Sequence, residues 1–278
     1  TRRGATGDVV NGEAEEGEMV RRNSVDGSVM SAQTAHTPDY WTAIHRPVVA
    51  FDRVLGEGIP SVGSDHEQGG RLIADLLIRT GARHVVMIGG PRDQFFDLAA
   101  RGEVEDVFDL EKTTFPTVRY YLTLEQELMK AGIRYEYVEA GEVMDFDGYR
   151  RAGGETLDRV GPDGVDAVVS SDIGASFCVR EALRRGIAIP QDLQIVAYDG
   201  TYLTDLAGMK TTAVVQDFVE STQTVADHIT QAIADEDAAA AKASLRKDDN
   251  PFEPSVLIPV TLALGDTTRT VSAAADHS

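Results

Sequence analysis

The chain has a single cysteine and no long apolar run. Cys178 has no partner for an intramolecular disulfide, so the sequence favours a reducing compartment. It lies on the apolar face of a predicted helix over residues 172–185, which indicates a core residue and not a reactive thiol. No stretch approaches the roughly 18 uninterrupted apolar residues of a membrane span, and the first residues contain no signal-peptide pattern. We therefore expect a cytoplasmic chain that does not contact a membrane.

Basic residues are also few. The 278 residues include 26 Lys and Arg against 46 Asp and Glu, which gives a net charge of −20. Because contacts to nucleic-acid phosphates require a basic surface, this balance argues against a chain that binds nucleic acid by itself. It suits a small neutral or sugar-like ligand, although acidic surfaces also serve solubility alone.

Catalytic and metal-binding patterns are missing as well. Ser64, Asp65 and His66 are adjacent and cannot converge as a catalytic triad. Residues 145–148 (DFDG) match part of a calcium loop but lack its length and its final glutamate. The sequence has no glycine-rich nucleotide loop and no Cys/His spacing typical of zinc. We therefore expect no enzyme, no metal site and no cofactor.

The sequence does contain a regular alternation of strand and helix patterns. Ser64 opens one helix, whose apolar stripe consists of Leu72, Ile73, Leu76 and Leu77. Further strands are predicted at residues 24–31, 47–53, 85–88, 135–138, 167–170, 193–197 and 255–264, and further helices at 119–131, 148–160, 172–185 and 218–234. This alternation predicts an α/β fold of parallel sheets with helices on both faces.

The most informative stretch surrounds Asp199. The apolar run over residues 193–197 predicts a buried strand, and Asp199 follows it closely, just before Gly200. In open α/β sheets, ligands bind beyond the carboxyl ends of the strands, where a carboxylate can accept hydrogen bonds from hydroxyl groups. Asp-Gly pairs also form ordinary turns, so the local pattern leaves a turn and a ligand contact both open.

The same stretch resembles the lactose-repressor (LacI/GalR) family of transcription regulators. Members carry a Pro-x-Asp segment, a strand that ends in Gly, an aromatic residue and Asp, and later a Thr-Thr segment that ends in Gln. Residues 190–192 (PQD), 195–199 (IVAYD) and 211–216 (TTAVVQ) fall into that frame. Ala197 replaces the usual Gly, and Gly200 replaces a second acidic or amide residue. Residues 24–31 and 65–91 resemble the family as well.

The resemblance implies two Rossmann-like lobes with parallel sheets joined by three crossovers, as in type I periplasmic binding proteins. We expect the crossovers near Gly90, Val215 and Pro259. The resulting N-terminal lobe is 24–90 plus 216–258, the C-terminal lobe is 91–215 plus 259–270, and 271–278 is a tail.

Two segments depart from the family pattern. Residues 1–23 form a poorly defined segment, too short for the strand, helix and second strand with which family cores begin, so we expect an incomplete first lobe. Residues 97–118 contain an acidic insertion, which would be either a lid or a solvated surface loop.

The resemblance also implies a ligand cleft between the lobes. The expected ligand-binding residues are Asp199, Ser171, Gln94, Phe96, Arg119 and Gln216. Asp199 would accept ligand hydroxyls, and Ser171 stands where the family usually has Asn. Phe96 or its neighbour Phe95 would stack on a sugar face or lie in the core.

Three further residues have expected roles. Asp172 is expected to cap its helix. Arg119 resembles an arginine that clamps the ligand, with a register shifted by one residue. Gln216, at the middle crossover, would bond either the ligand or the hinge backbone.

These patterns together predict the effector-binding core of a LacI-type regulator that binds a small polar molecule, with a sugar as the expected class. Closure on the effector would change the angle between two cores in a homodimer, and so the spacing of their DNA-binding headpieces. These residues do not include the headpiece. Operator DNA would be bound only through that headpiece and not by this chain. The alternative is a sugar-binding receptor of an ABC transporter. The missing signal peptide argues against that alternative, but a trimmed mature chain would also lack one.

Overall fold

The computed structural model describes residues 26–31, 46–53, 55, 59–90, 116–141, 145–234 and 256–270. These residues belong to two compact units, each with its own sheet. Within the described helices, none combines the length and the apolar character that a bilayer crossing requires. Residues 1–23, the tail at 271–278 and nearly all of the acidic insertion lie outside the described residues.

The first unit contains a four-stranded parallel sheet in the order β1-β2-β3-β9. Its elements are β1 (Ser28–Met30), β2 (Val48–Phe51), β3 (Ser61–Ser64), β9 (Val256–Ile258) and the helix α5 (Phe218–Ala234). The helix packs against β1, β2 and β3, and Val49, Val62, Val225 and Ile258 form the buried centre of this unit.

The second unit contains a six-stranded sheet in the order β10-β8-β7-β6-β4-β5. Its strands are β4 (His84–Gly89), β5 (Arg134–Glu139), β6 (Ala167–Ser171), β7 (Gln194–Asp199), β8 (Thr212–Val215) and β10 (Thr261–Ala263). Its α-helices are α1 (His66–Arg79), α2 (Pro116–Lys130), α3 (Phe146–Leu157) and α4 (Asp172–Arg185). A short 3₁₀ helix, Tyr202–Asp205, follows β7.

Apolar side chains cover both faces of the second sheet. Helices α1 and α2 contribute to one cluster with buried residues such as Leu77 and Leu124. Helices α3 and α4 contribute to the other, which includes Leu157 and Cys178. Burial raises the pKa of the Cys178 thiol to about 12, as expected of a core cysteine and not of a reactive one. The predicted α/β fold is confirmed.

The boundary between the units differs from the expected one. Residues 66–90 belong to the second unit, whereas the sequence analysis assigned them to the N-terminal lobe. The reason is strand pairing, because β4 lies between β5 and β6 and pairs in parallel with both. Among the described residues, the chain enters the second unit after Asp65, Thr117 and Ile258 and leaves it after Gln216. The first crossover therefore lies at Asp65 and not near Gly90.

The strand predicted at residues 255–264 is two strands. Pro259 separates Val256–Ile258, which joins the first sheet, from Thr261–Ala263, which joins the second. Proline lacks the N–H that a continuous ladder needs, so it suits a position where the chain changes sheets. The second of these strands runs antiparallel to β8, so the sheet of the second unit is mixed.

An ion-pair cluster ties the edge strand β5 to the rest of the second unit. The Glu136 carboxylate accepts hydrogen bonds from Arg159 at 2.6 Å, from His84 at 2.9 Å and from Arg134 at 2.5 Å. The Arg159 hydrogen bond lowers the pKa of Glu136, burial opposes it, and the charges of Arg159, His84 and Arg134 lower the pKa further. The cluster therefore stabilises the ionised form of Glu136 in the folded chain.

We expect Glu136→Gln to lower the free energy of unfolding at pH 7 by about 0.5–1 kcal/mol, the scale of partly exposed ion pairs. A lowered pKa stabilises the fold above the unfolded-state value of about 4.3, and this contribution is lost progressively as the pH falls from that value through the lowered folded-state pKa. Urea titrations should therefore show a larger difference from wild type at pH 7 than at pH 3. The exposed Glu155→Gln should be neutral at both values, and a Glu136→Gln effect undiminished at pH 3 would contradict the assignment.

Candidate functional site

Three of the predicted site residues meet at the carboxyl edge of the second sheet. The parallel strands β6, β7 and β8 are neighbours, with Ser171 opposite Tyr198 and Asp199 opposite Val215. Gln216 follows Val215 directly. The ends of three adjacent strands therefore place Ser171, Asp199 and Gln216 along one edge, the position where ligands bind in open α/β sheets.

Asp199 has an unusual backbone conformation. Its φ is +107°, a region that residues with a side chain rarely adopt and that costs about 1–3 kcal/mol. Gly200 also has a positive φ of +69°, and a Cβ there would lie 2.7 Å from the Cα of Val215. Such strain persists only where the surrounding structure enforces it, and it is concentrated at functional sites. The positive φ therefore marks Asp199 as a candidate functional residue.

Gln216 holds the side chain of Asp199. Its Nε2 donates a hydrogen bond of 2.7 Å to Oδ1 of Asp199, and its backbone N–H donates to the Asp199 carbonyl at 3.2 Å. Gln216 is itself buried. Gln216 thus forms a direct hydrogen bond with Asp199, the predicted ligand anchor.

Ser171 and Asp172, which are neighbours in sequence, have different hydrogen-bond partners. Ser171 is the N-cap of α4, and its hydroxyl accepts the N–H of Gly174 at 3.5 Å. The Asp172 carboxylate instead accepts the backbone N–H groups of Gly200 at 3.2 Å and Thr201 at 2.5 Å. The expectation that Asp172 caps α4 was wrong, because the serine before it takes that position.

Several tyrosines lie near the carboxyl edge of the second sheet. None of them was predicted as a site residue from the sequence. Tyr149, in the first turn of α3, forms a hydrogen bond with the Ser171 side chain. Burial raises the pKa of the Tyr149 phenol, and the negative charge of Asp199 adds to that effect. Burial also raises the pKa values of Tyr120 and Tyr121, again with a contribution from Asp199. The charge of Asp199 therefore acts on several neutral hydroxyl groups.

Tyr198, the residue before Asp199, is held by contacts with helices α1 and α2. The Tyr198 ring stacks on Tyr120 with 3.8 Å between the ring centroids, and its hydroxyl lies 2.8 Å from Nδ1 of His66. A Cβ at Gly69 would lie 2.5 Å from the Tyr198 hydroxyl, so helix α1 needs glycine at that point. The aromatic character of position 198 is visible in the sequence, but its stacking partner is 78 residues away.

The remaining predicted residues are Arg119, Gln94 and Phe96. Arg119 lies on α2, is buried, and forms an ion pair of 3.0 Å with Glu67 of α1. Gln94 and Phe96, with the neighbouring Phe95, lie outside the described residues. No group of three or more metal-ligating side chains occurs among the residues that the structure describes.

We expect Gln216→Glu to destabilise the fold by about 1–3 kcal/mol at pH 7. The change keeps the shape of the side chain but replaces the donor that faces Asp199 with a buried carboxylate. Gln223 offers a matched control, because its amide also donates to an aspartate, Asp227, at 2.8 Å but on an exposed helix face. Gln223→Glu should cost only a few tenths of a kcal/mol. Equal shifts of the thermal midpoint for the two variants would contradict the role given to Gln216.

Comparison with known proteins identifies the class of this fold. The family model of the periplasmic binding protein-like domain matches residues 74–268. That match covers well over half of the chain, and the chain belongs to this family.

Two relatives with named functions are repressors of sugar operons. The chain is 27% identical over 188 residues to the sucrose operon repressor of Streptococcus mutans. The aligned region covers 68% of this chain and 51% of that protein. It is 28% identical over 180 residues to the ribose operon repressor of Bacillus subtilis. That alignment covers 64% of this chain and 48% of that protein. The chain thus spans about half the length of these relatives. The resemblance to LacI-type regulators is confirmed.

Solved structures show the same fold. A periplasmic binding protein/LacI transcriptional regulator from Alkaliphilus metalliredigens, in complex with D-xylulofuranose, matches with a TM-score of 0.67 at 20% identity. The match covers 93% of this chain and 83% of that one. Identity at this level supports the fold and not the ligand.

Proposed function

We propose that this chain is the effector-binding core of a LacI-type transcription regulator in the cytoplasm, and that its effector is a sugar or a related polyhydroxy molecule. The observation that carries the proposal is Asp199, held in a strained backbone conformation at the end of a parallel strand and bonded to Gln216. The names of the relatives support the ligand class, since they are repressors of sucrose and ribose operons.

The chemistry of the edge suits hydroxyl groups. An ionised carboxylate accepts hydrogen bonds only, and bonds from ligand hydroxyls to it are charge-assisted. Ser171, Tyr149 and Gln216 add groups that both donate and accept. We propose that the part of the effector that reaches Asp199 carries hydroxyl donors and not a phosphate, because a phosphate would meet the negative charge of Asp199.

The relatives named above are repressors, which favours a regulator over a transporter receptor and over an enzyme. Operator DNA would be bound through a separate headpiece, since this chain has a net charge of −20. A gel-shift assay at moderate salt tests this directly. The chain alone should not retard operator DNA in a sequence-dependent manner, and specific retardation would contradict the proposal.

We further propose that two copies of the chain form a homodimer. The second unit exposes apolar side chains on and beside the 3₁₀ helix after β7, where Tyr202 is 76% exposed and Leu206 is 68% exposed. Exposed apolar groups that lie together are typical of protein interfaces. This segment is anchored to α4, because the Ser176 hydroxyl donates to the carbonyl of Leu203.

Sedimentation at micromolar concentration should therefore show a dimer. Leu206→Asp should shift the distribution to monomer, because it places a charge in the apolar contact. Met129→Asp changes a side chain of similar exposure, 64%, on α2 and should leave the dimer intact. A wild-type monomer would contradict the dimer and favour a receptor of the transporter type.

A further inference from the structure

The loop after Asp199 is fixed from two sides. On one side, the backbone N–H and the side-chain amide of Gln216 bond to Asp199. On the other side, the Asp172 carboxylate accepts the N–H groups of the next two residues, Gly200 and Thr201. Both attachments hold atoms next to the positive φ of Asp199.

Asp172 is available for this contact because of its place at the start of α4. Ser171 caps the helix, so the carboxylate of Asp172 is not needed for that purpose. Asp172 is 2% exposed, and burial raises its pKa, while hydrogen bonds from Thr201 and Gly200 oppose that rise. A buried carboxylate is costly unless its oxygens are satisfied, and here the loop supplies the donors.

Two acceptor oxygens are needed for the two backbone donors. Oδ1 of Asp172 accepts from Gly200, and Oδ2 accepts from Thr201. Asparagine has one acceptor oxygen, and its NH₂ group would face one of the two N–H groups. A substitution by asparagine therefore keeps the volume of the side chain but breaks one attachment of the loop.

We propose that Asp172 is a positioning residue of the effector site, which fixes the Gly200–Thr201 backbone and thereby the direction in which Asp199 presents its carboxylate. This proposal rests on the proposed function of Asp199 as the sugar anchor. Asp172 acts through Asp199 and does not touch the effector, since both of its oxygens face backbone donors of the loop.

A double-mutant cycle on the whole chain tests this role. Calorimetric titration with the sugar that most raises the thermal midpoint is carried out on wild type, Asp172→Asn, Asp199→Asn and the double variant. Asp172→Asn should weaken binding about fivefold or more in the wild-type background, which corresponds to roughly 1 kcal/mol at 25 °C. In the Asp199→Asn background the same change should alter affinity less than about twofold. An equal loss in both backgrounds, or an unchanged affinity with a lowered thermal midpoint, would overturn the proposal.

A second variant acts on the donor instead of the acceptor. Thr201 has a φ of −78°, which proline can adopt, so Thr201→Pro removes the N–H that bonds to Asp172 and leaves Asp172 in place. Thr201→Ala is the matched control, because both variants lose the hydroxyl, which also bonds to Asp172 and Leu203, and only Thr201→Pro loses the N–H. Thr201→Pro should weaken binding several-fold more than Thr201→Ala, and equal affinities would count against the proposal. This pair gives a result even if Asp172→Asn does not fold.

The crystal structure of Asp172→Asn gives a readout that needs no ligand. Residue 199 should leave the positive-φ region when one attachment is lost. A φ near +107° in that variant would overturn the positioning role, whether or not a sugar effector is found. Failure of the wild-type chain to bind any sugar would instead overturn the proposed function, so the two failures are distinguishable.

Discussion

Asp199→Asn should weaken binding of the sugar effector about tenfold or more. The substitution keeps the shape of the side chain but removes the charge, and charge-assisted hydrogen bonds contribute about 1.5–3 kcal/mol each. Two observations support this prediction. The backbone of Asp199 is strained, and Nε2 of Gln216 donates a hydrogen bond of 2.7 Å to its Oδ1. Calorimetric titration of wild type and variant with the same sugar gives the ratio of affinities.

The control for this prediction is a nearby exposed aspartate. Asp205, in the 3₁₀ helix after β7, is exposed, and Asp205→Asn makes the same chemical change six residues away. Its affinity for the sugar should match that of wild type. If Asp199 only shaped a turn, asparagine would serve nearly as well, because both residues tolerate such backbones. Equal affinities for wild type and Asp199→Asn would then place the anchor elsewhere.

Leu77→Ala should lower the free energy of unfolding by about 2–5 kcal/mol. Leu77 is fully buried on α1, in the cluster that joins α1 and α2 to one face of the second sheet. Truncation of a buried leucine loses the transfer free energy of its methyl groups and leaves a cavity that the surroundings fill only in part. Urea denaturation, read from the midpoint at constant slope, measures the change.

The next residue along the helix provides the control. Ile78 is 39% exposed, and Ile78→Ala should change the free energy of unfolding by only about 0.5 kcal/mol. The two variants test the apolar stripe read from the sequence, which includes Leu77 and not Ile78. Similar losses for both would mean that α1 does not present that face to the core.

Local patterns predicted helices correctly in both units. The helix predicted over residues 172–185 spans Asp172–Arg185, and the helix predicted over 218–234 spans Phe218–Ala234. Both have a sharp start and an apolar periodicity that depends on near neighbours only. The assignment of β4 failed because its partners β5 and β6 are distant in sequence, and no local pattern records which sheet a buried strand joins.

The candidate site shows the same division between local and distant information. Asp199 was visible because it follows a strand and matches a family motif. The roles of Asp172 and Tyr149 were not visible, since each depends on a partner brought close by the sheet: Thr201 for Asp172 and Ser171 for Tyr149. The predicted ligand contacts of Ser171, Arg119, Gln94, Phe96 and Gln216 stay predictions. The role of the acidic insertion at 97–118, as either a lid or a solvated loop, likewise stays a prediction.

The most direct test of the account is a thermal-shift screen of the purified chain against neutral sugars, including sucrose, ribose and cellobiose, followed by calorimetric titration of the best candidate. A sugar that binds the folded chain stabilises it by about 2.7 kcal/mol at a concentration of one hundred times its Kd, so the thermal midpoint should rise with sugar concentration. We expect at least one such sugar, with saturable binding that Asp199→Asn weakens and Asp205→Asn does not. A chain that no sugar stabilises, or a sugar whose affinity is the same for all three proteins, would contradict it.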